Sequence, residues 1–128
     1  MENPSGKSAL GLDPNVAAGI AYIPFCAIGI IMSIIILVTD KTNKFARFHA
    51  FQSLLLLGVA IVLYVVAIVI FGVAAAAGST ALSLLATLVW FAVIIGVLIA
   101  VVLCCIQAFM GKSFKLPIIG NLADNWSN

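Results

Sequence analysis

Three side chains stand out as chemically capable groups in an otherwise apolar chain. His49 is the sole histidine, and an imidazole can ligate the iron of haem or the magnesium of a chlorophyll. Gln52 and Gln107 lie at similar depth in two later apolar stretches, so we expect their amides to hydrogen-bond to each other or, alternatively, to line a polar path. A lone histidine is more often a structural hydrogen-bonding residue, and we favour that role for His49 over cofactor binding.

The remaining residues do not assemble into a catalytic set. The apolar stretches carry no carboxylate, which excludes a general acid–base pair or a proton relay within them. Cys26, Cys104 and Cys105 lie in apolar runs without the spacing of a metal site, so we expect them to be small buried hydrophobes. We therefore predict a protein that is not an enzyme and that holds neither a metal nor a cofactor.

The composition indicates that lipid surrounds most of the chain. Hydrophobic residues make up 65% of the 128 residues and charged residues 8%, whereas a soluble domain carries about 45–50% and about 25%. Ten charged side chains cannot cover the surface of a soluble protein of this length. The soluble-enzyme, nucleic-acid-binding and disordered classes are thereby excluded, and we predict an all-α membrane protein of one domain.

Three apolar stretches are long enough to cross a bilayer, for which about 20 residues suffice. The predicted transmembrane domain therefore covers residues 16–110. A polar tail, 1–15, precedes it, and an amphipathic tail, 111–128, follows it. The three predicted transmembrane helices cover residues 16–39, 50–77 and 81–110.

The first stretch is interrupted by Pro24. A proline removes a backbone hydrogen bond and clashes with the preceding turn. Either one kinked helix crosses the membrane, or residues 14–23 lie at the interface and 24–39 cross alone. We favour the single kinked helix because the stretch is uniformly apolar. Asp13 is its predicted N-cap, with Pro14 at the first helical position.

The second and third helices are predicted to form a tight antiparallel hairpin, because only Gly78, Ser79 and Thr80 separate them. Small residues let helices approach closely in lipid, where the hydrophobic effect does not drive pairing. We expect packing within this hairpin or, alternatively, against another subunit, through Gly58, Gly72, Ala76, Ala92, Gly96 and Ala100.

The basic residues predict the orientation. With three crossings, the N-terminal tail shares one side with the 78–80 turn, and that side carries Lys7 alone. The 40–49 loop and the C-terminal tail share the other side, which carries Lys41, Lys44, Arg47, Lys112 and Lys115. Because cytoplasmic loops hold the excess of Lys and Arg, we predict a multi-pass protein of the cell inner membrane with its N-terminus outside and its C-terminus in the cytoplasm.

The cytoplasmic end is predicted to contact anionic lipid headgroups or a protein partner. Pro117 can open a short interfacial helix with an apolar stripe that ends at Trp126. Asp40 and Lys44 have the spacing of a helical ion pair. The residues that we expect to touch lipid or a partner at this end are Lys44, Arg47, His49, Gln52, Lys112, Lys115 and Trp126.

Three blocks of sequence carry a family resemblance: N-V-A-A with A-Y over residues 15–22, K-F-A-R-F-H-A-F-Q-S over 44–53, and K-L-P-I-I-G-N over 115–121. They resemble a family of small bacterial multi-pass membrane proteins of unknown function that is similar to the magnetosome protein MamF and, more distantly, to the Tic import component of the chloroplast inner envelope. The resemblance implies a helical inner-membrane protein with a channel-like or complex-forming role.

The near absence of polar residues at depth predicts a non-enzymatic accessory or scaffold subunit of a larger membrane assembly, either a homo-oligomer or a complex with other membrane proteins. An oligomeric channel or protein-translocation component is the first alternative, motivated by Gln52, Ser53 and Gln107. A pigment- or haem-binding subunit that uses His49 is the second. We expect no nucleic-acid partner.

Overall fold

The computed structural model describes residues 7–8, 11–23 and 27–128. Its regular structure there is helical, which confirms the all-α prediction. The helices are α1 (Pro14–Ile20), α2 (Ile28–Thr39), α3 (Lys44–Ala76), α4 (Thr80–Phe109) and α5 (Ile119–Ser127).

The first helix begins as the sequence predicts. The Asp13 carboxylate accepts a hydrogen bond from the amide of Asn15 at 2.9 Å, and Pro14 occupies the first turn, where no amide hydrogen is needed. However, α1 ends at Ile20, and it buries Ala17 and Ala18 completely. It is therefore a short, enclosed helix rather than the start of a long one.

The first apolar stretch forms two helices, so the single kinked helix over residues 16–39 is wrong. Seven residues separate the end of α1 from the start of α2, and the amide of Gly29 donates back to the carbonyl of Ile23 at 2.9 Å. The predicted kink residue, Pro24, lies outside the described residues. With twelve residues, α2 is about 18 Å long, which is well short of a hydrocarbon core of about 30 Å.

The two short helices pack against each other because their contacting residues are small. A Cβ atom on Gly29 would lie 2.6 Å from the carbonyl oxygens of Ala21 and Ile23, so glycine is what permits this approach. The buried core that they form with the start of α3 consists of Ala17, Ala21, Met32, Ile36, Ala46 and Ala50. Four of these six residues are alanines, so the three helices can lie close together around one core.

The two ends of the first stretch lie together. The hydroxyl of Ser8, which precedes α1, donates to the carboxylate of Asp40, which follows α2, and both residues are buried. Asp40 also accepts from the amide of Asn43 at 3.0 Å, and the Asn43 side chain caps α3 at Ala46. The chain therefore goes out along α1 and returns along α2, whereas one crossing would hold Ser8 and Asp40 on opposite sides.

The predicted Asp40–Lys44 ion pair is replaced by other contacts. The Asp40 carboxylate accepts hydrogen bonds from Ser8 and Asn43. The ammonium of Lys44 donates to the side-chain oxygen of Asn128 at 3.0 Å. The loop between α2 and α3 is thus tied to the N-terminal segment by Asp40 and to the C-terminus by Lys44.

The two long helices are those whose length and composition suit a membrane. α3 has 33 residues and α4 has 30, and each contains an 18-residue window with a mean hydropathy of 3.2 of which only 6% is buried. The core helix of a soluble protein would be mostly buried. Between them Gly78 adopts a left-handed conformation with φ of 59°, and the Ser79 hydroxyl caps α4 by accepting from Leu82 at 3.3 Å.

The chain divides into two compact units, one formed by Leu57–Ile99 and the other by the remaining residues. Within the Leu57–Ile99 unit, the rings of Tyr64 and Trp90 lie 5.6 Å apart, and Ala74 and Ala86 are buried. α3 and α4 therefore touch here through these two aromatic rings.

The small residues that were predicted to pack α3 against α4 are not the residues that make the contact described above. A Cβ atom on Gly58, Gly72 or Gly96 would meet nothing within 4 Å. Among the predicted alanines, Ala76 and Ala92 are exposed and Ala100 is half-buried. The three glycines therefore make no close helix contact with the described residues, and their contact with another subunit stays a prediction.

Replacing Gly29 with alanine should destabilise the protein. The new methyl group would overlap two backbone carbonyl oxygens, which cannot move as a flexible side chain can, and overpacking of this kind costs roughly 1–3 kcal/mol. The midpoint of thermal unfolding in mild detergent, followed by circular dichroism, measures the effect.

Gly96→Ala is the matched control, since this helical glycine has open space around it and alanine favours a helix by roughly 0.5–1 kcal/mol. We expect Gly96→Ala to keep or raise the midpoint. Equal midpoints for the two variants would contradict the close approach of α2 to the end of α1.

Candidate functional site

The candidate site is a buried hydrogen-bond network formed by the side chains of Tyr22, His49 and Gln52, here called the Tyr22 network. Tyr22 follows α1, and the other two side chains lie one turn apart on α3. His49 and Gln52 have no exposed surface, and Tyr22 is 5% exposed. Because polar groups without partners are costly in an apolar interior, each must find a partner in the protein.

The hydrogen bonds of His49 fix how its ring is protonated. Nε2 lies 3.2 Å from the backbone carbonyl of Lys112, which can only accept, so Nε2 carries the hydrogen. Nδ1 of the neutral ring then accepts from the Tyr22 hydroxyl at 3.1 Å. Phe45 and Phe48 pack edge-on against the ring, at centroid distances of 4.7 and 5.0 Å.

This arrangement disfavours a cofactor role for His49. Both ring nitrogens are engaged within the chain, so neither has a lone pair free for iron or magnesium. Within the described residues, no three side chains of His, Cys, Asp or Glu are grouped as a metal site. These contacts support a structural role for His49, and cofactor binding at His49 stays a prediction.

Gln52 joins α1 to the C-terminal tail. Its Nε2 donates to the Tyr22 hydroxyl at 3.0 Å and to the carbonyl of Phe114 at 2.9 Å, and its Oε1 accepts from the amide of Leu116 at 3.3 Å. The predicted hydrogen bond with Gln107 is therefore wrong, because these partners occupy the amide. Tyr22 accepts from Gln52 and donates to His49, so both capacities of its hydroxyl are used.

Arg47 holds the end of α2. Its Nη1 donates to the carbonyls of Leu37 and Asp40, each at 3.3 Å, and its guanidinium lies 5.6 Å from the centre of the Phe51 ring. A cation is stabilising at a helix C-terminus, where carbonyls without partners carry partial negative charge. One nitrogen of the guanidinium is thus bound within the protein, and the contact of Arg47 with lipid headgroups stays a prediction.

Two further contacts link the helices. The hydroxyls of Ser33 and Ser53 lie 2.7 Å apart and join α2 to α3. The thiol of Cys105 lies 3.6 Å from the carbonyl of Gly19 and joins α4 to α1. Ser53 therefore contacts a neighbouring helix, and the polar path suggested by Gln52, Ser53 and Gln107 stays a prediction.

The C-terminal tail is shaped by its own contacts. Lys115 and Asp124 form an ion pair at 2.6 Å. Gly120 lies so close to Lys115 that a Cβ atom would be 2.7 Å from its Cα. α5 begins two residues after Pro117, which confirms the short C-terminal helix. Trp126 is half exposed and its ring lies 5.9 Å from that of Phe51.

The predicted contact residues thus separate into two groups. Arg47, His49 and Gln52 are engaged inside the protein, whereas Lys44, Lys112, Lys115 and Trp126 are exposed at the same end of the chain. Sequence reasoning gave no role to Tyr22. The available signal was a phenol in an apolar run, because a buried tyrosine hydroxyl needs a hydrogen-bond partner.

Comparison with known proteins identifies the family. Residues 13–123 match the model of the MamF/MmsF family, described as the magnetosome magnetite crystal formation protein family. This chain belongs to that family. The matched region includes the whole Tyr22 network and both ends of the two long helices. The resemblance to MamF is confirmed, while the more distant similarity to the Tic component stays a prediction.

Two relatives are named as membrane proteins. A UPF0132 membrane protein of Methanocaldococcus jannaschii is 32% identical over 123 residues, which cover 95% of this chain and 96% of the relative. A second UPF0132 membrane protein of that organism is 31% identical over 120 residues, covering 92% and 73%. No solved structure matches the chain. With two long apolar helices and these relatives, the chain is a membrane protein.

Replacing Gln52 with leucine should loosen the C-terminal tail. The carbonyl of Phe114 and the amide of Leu116 lose their side-chain partner. A fully buried unsatisfied group costs about 1–3 kcal/mol, and these partly buried groups cost less. We expect faster tryptic cleavage after Lys112 and Lys115 in detergent, together with a lower midpoint of thermal unfolding.

Gln107→Leu provides the matched control, because this half-buried side chain makes no hydrogen bond to the described residues. It should be cleaved at the rate of the unmodified protein. Cleavage at one common rate in both variants would show that Gln52 does not hold the tail.

Proposed function

We propose that this protein is a non-enzymatic accessory or scaffold subunit of a larger membrane assembly. The observation that carries the proposal is the closure of the Tyr22 network. The side chains of Tyr22, His49 and Gln52 hydrogen-bond to one another and to the backbone of the tail. No buried polar side chain of the network is left to bind or transform a substrate.

The surface available for interaction is apolar. Leu88 and Val62 are exposed by 68% and 62%, and they belong to helix windows that are only 6% buried. When the protein is a monomer, lipid covers this apolar surface. A helix of another subunit can replace the lipid where small residues permit close approach. Gly58, Gly72 and Gly96, which have open space around them, are our proposed contact positions with another subunit.

We propose that α3 and α4 are the crossing helices and that α1 and α2 enter and leave the membrane on one side. The contact between Ser8 and Asp40 and the short length of α2 support this arrangement over three crossings. Residues 48–111 contain no Lys, Arg, Asp or Glu. All six basic residues then lie on one side, which the positive-inside rule makes the cytoplasmic side of the inner membrane. The N-terminus is cytoplasmic in this proposal, in place of the outside position inferred from three crossings.

The cytoplasmic end is our proposed contact with anionic headgroups. Lys44, Lys112 and Lys115 are exposed there beside the half-exposed ring of Trp126. A tryptophan anchors at the headgroup level, and each nearby lysine adds about 1 kcal/mol on an anionic leaflet.

The family description concerns magnetite crystal formation, whereas we propose only a membrane scaffold role for this chain. Asp40 is bound by Ser8 and Asn43, and Asp124 is paired with Lys115. These carboxylates are used within the protein, so our proposal is confined to the membrane scaffold.

Co-purification in mild detergent tests the proposed role. We expect the tagged protein to be retained in a species larger than one copy, with its partner identified by mass spectrometry. Gly96→Leu should fold normally, because a Cβ at this position meets nothing in the chain, yet it should lose the partner if the α4 face is the contact. Val62→Leu is the control on an exposed position of α3.

A single copy that purifies without any partner would contradict the scaffold role. Ion conductance or solute flux through the purified protein in reconstituted bilayers would favour the channel or translocation alternative instead.

A further inference from the structure

The Tyr22 network recognises the main chain of the tail. His49 contacts the carbonyl of Lys112, and Gln52 contacts the carbonyl of Phe114 and the amide of Leu116. These are alternate residues of the segment 112–116, which has no helical structure. In a strand the backbone groups of residues i, i+2 and i+4 point to the same side. The three contacted groups therefore have the sequence spacing of one edge of a strand.

The spacing of the two helical side chains suits that edge. Residues three apart on a helix have Cβ atoms about 5–6 Å apart, and two residues of a strand advance about 6.6–6.8 Å. His49 and Gln52 can therefore meet successive alternate peptide groups, as a neighbouring strand would in peptide recognition by strand addition.

The side chains of the segment differ in their exposure. Lys112, Phe114 and Lys115 are exposed, and Leu116 is the residue that packs against the core of Ala18, Tyr22 and Cys104. The Tyr22 network and this core thus hold the tail through main-chain groups and the Leu116 side chain. We call these residues the receptor, which the protein's own tail occupies in this structure.

Two features of the tail would allow it to move as one unit relative to α4. The Lys115–Asp124 ion pair and the approach of Gly120 to Lys115 lie within the tail and move with it. The tail joins α4 at Gly111, whose φ of 74° suits glycine and which can change conformation without the restraint of a side chain.

We propose that residues 112–116 of a second copy can occupy this receptor, so that two copies exchange their C-terminal tails. The identical segment is a ligand whose fit the structure displays, and exchange preserves the contacts of the receptor while it links two chains. The proposal rests on the proposed function, since it names the partner of the scaffold as a second copy of this chain.

Photocrosslinking in native membranes tests the exchange. One copy carries one affinity tag and the photoreactive aromatic residue p-benzoylphenylalanine in place of Phe51, whose ring lies 5.9 Å from Trp126. A second, unmodified copy with a different tag is co-expressed. We expect a covalent dimer that carries both tags, with the crosslink mapped to the α5 segment, 119–127, of the second copy.

Gln52→Leu in the photoreactive copy should lower the yield of this dimer at least about fivefold, while Gln107→Leu should leave it unchanged. A crosslink found only within one chain, or one that maps outside the tail, would overturn the exchange. If the two tagged copies still co-purify in that case, the scaffold proposal stands without tail exchange. If they do not co-purify, a second copy is not the partner.

Discussion

The hydroxyl of Tyr22 is the group on which the arrangement of this protein depends. It accepts a hydrogen bond from Gln52 and donates one to His49, deep in a chain that is 65% hydrophobic. In apolar surroundings no water is available to hydrogen-bond to these groups, so they must hydrogen-bond to one another. Because Tyr22 follows α1 while its partners lie on α3 and bond to the tail, one hydroxyl connects three parts of the chain that are distant in sequence.

The folding back of the first apolar stretch follows from the same contacts. Tyr22 has to lie beside the first turns of α3, and the chain must still return to α3 through α2. Ser8 and Asp40 meet where the two paths join, and Arg47 of α3 caps the end of α2. The fold therefore concentrates its polar contacts in the unit that holds the charged residues, and the Leu57–Ile99 unit is left almost wholly apolar.

Much of this could be predicted from the sequence where local rules apply. Uninterrupted apolar length indicated α3 and α4, and the caps at Asp13 and Ser79 are short-range hydrogen bonds. The break between α1 and α2 could not be read in this way, because apolar composition is the same in one spanning helix and in two helices that fold back. Likewise, residue counting paired Gln52 with Gln107, whereas the tail, whose path depends on Gly111 and Gly120, supplies the actual partners.

The side of the membrane on which residue 7 lies tests this account most directly. Each variant adds one cysteine to the three native ones, at Lys7, Lys41 or Ala77, which are exposed positions. Each is labelled with a membrane-impermeant maleimide in intact spheroplasts and again after permeabilisation, and the labelling of the unmodified protein is subtracted as background. Two crossings with a returning α1–α2 pair predict labelling of Ala77→Cys from outside, and of Lys7→Cys and Lys41→Cys only after permeabilisation. Labelling of Lys7→Cys from outside, with Lys41→Cys protected, would contradict the account and restore three crossings.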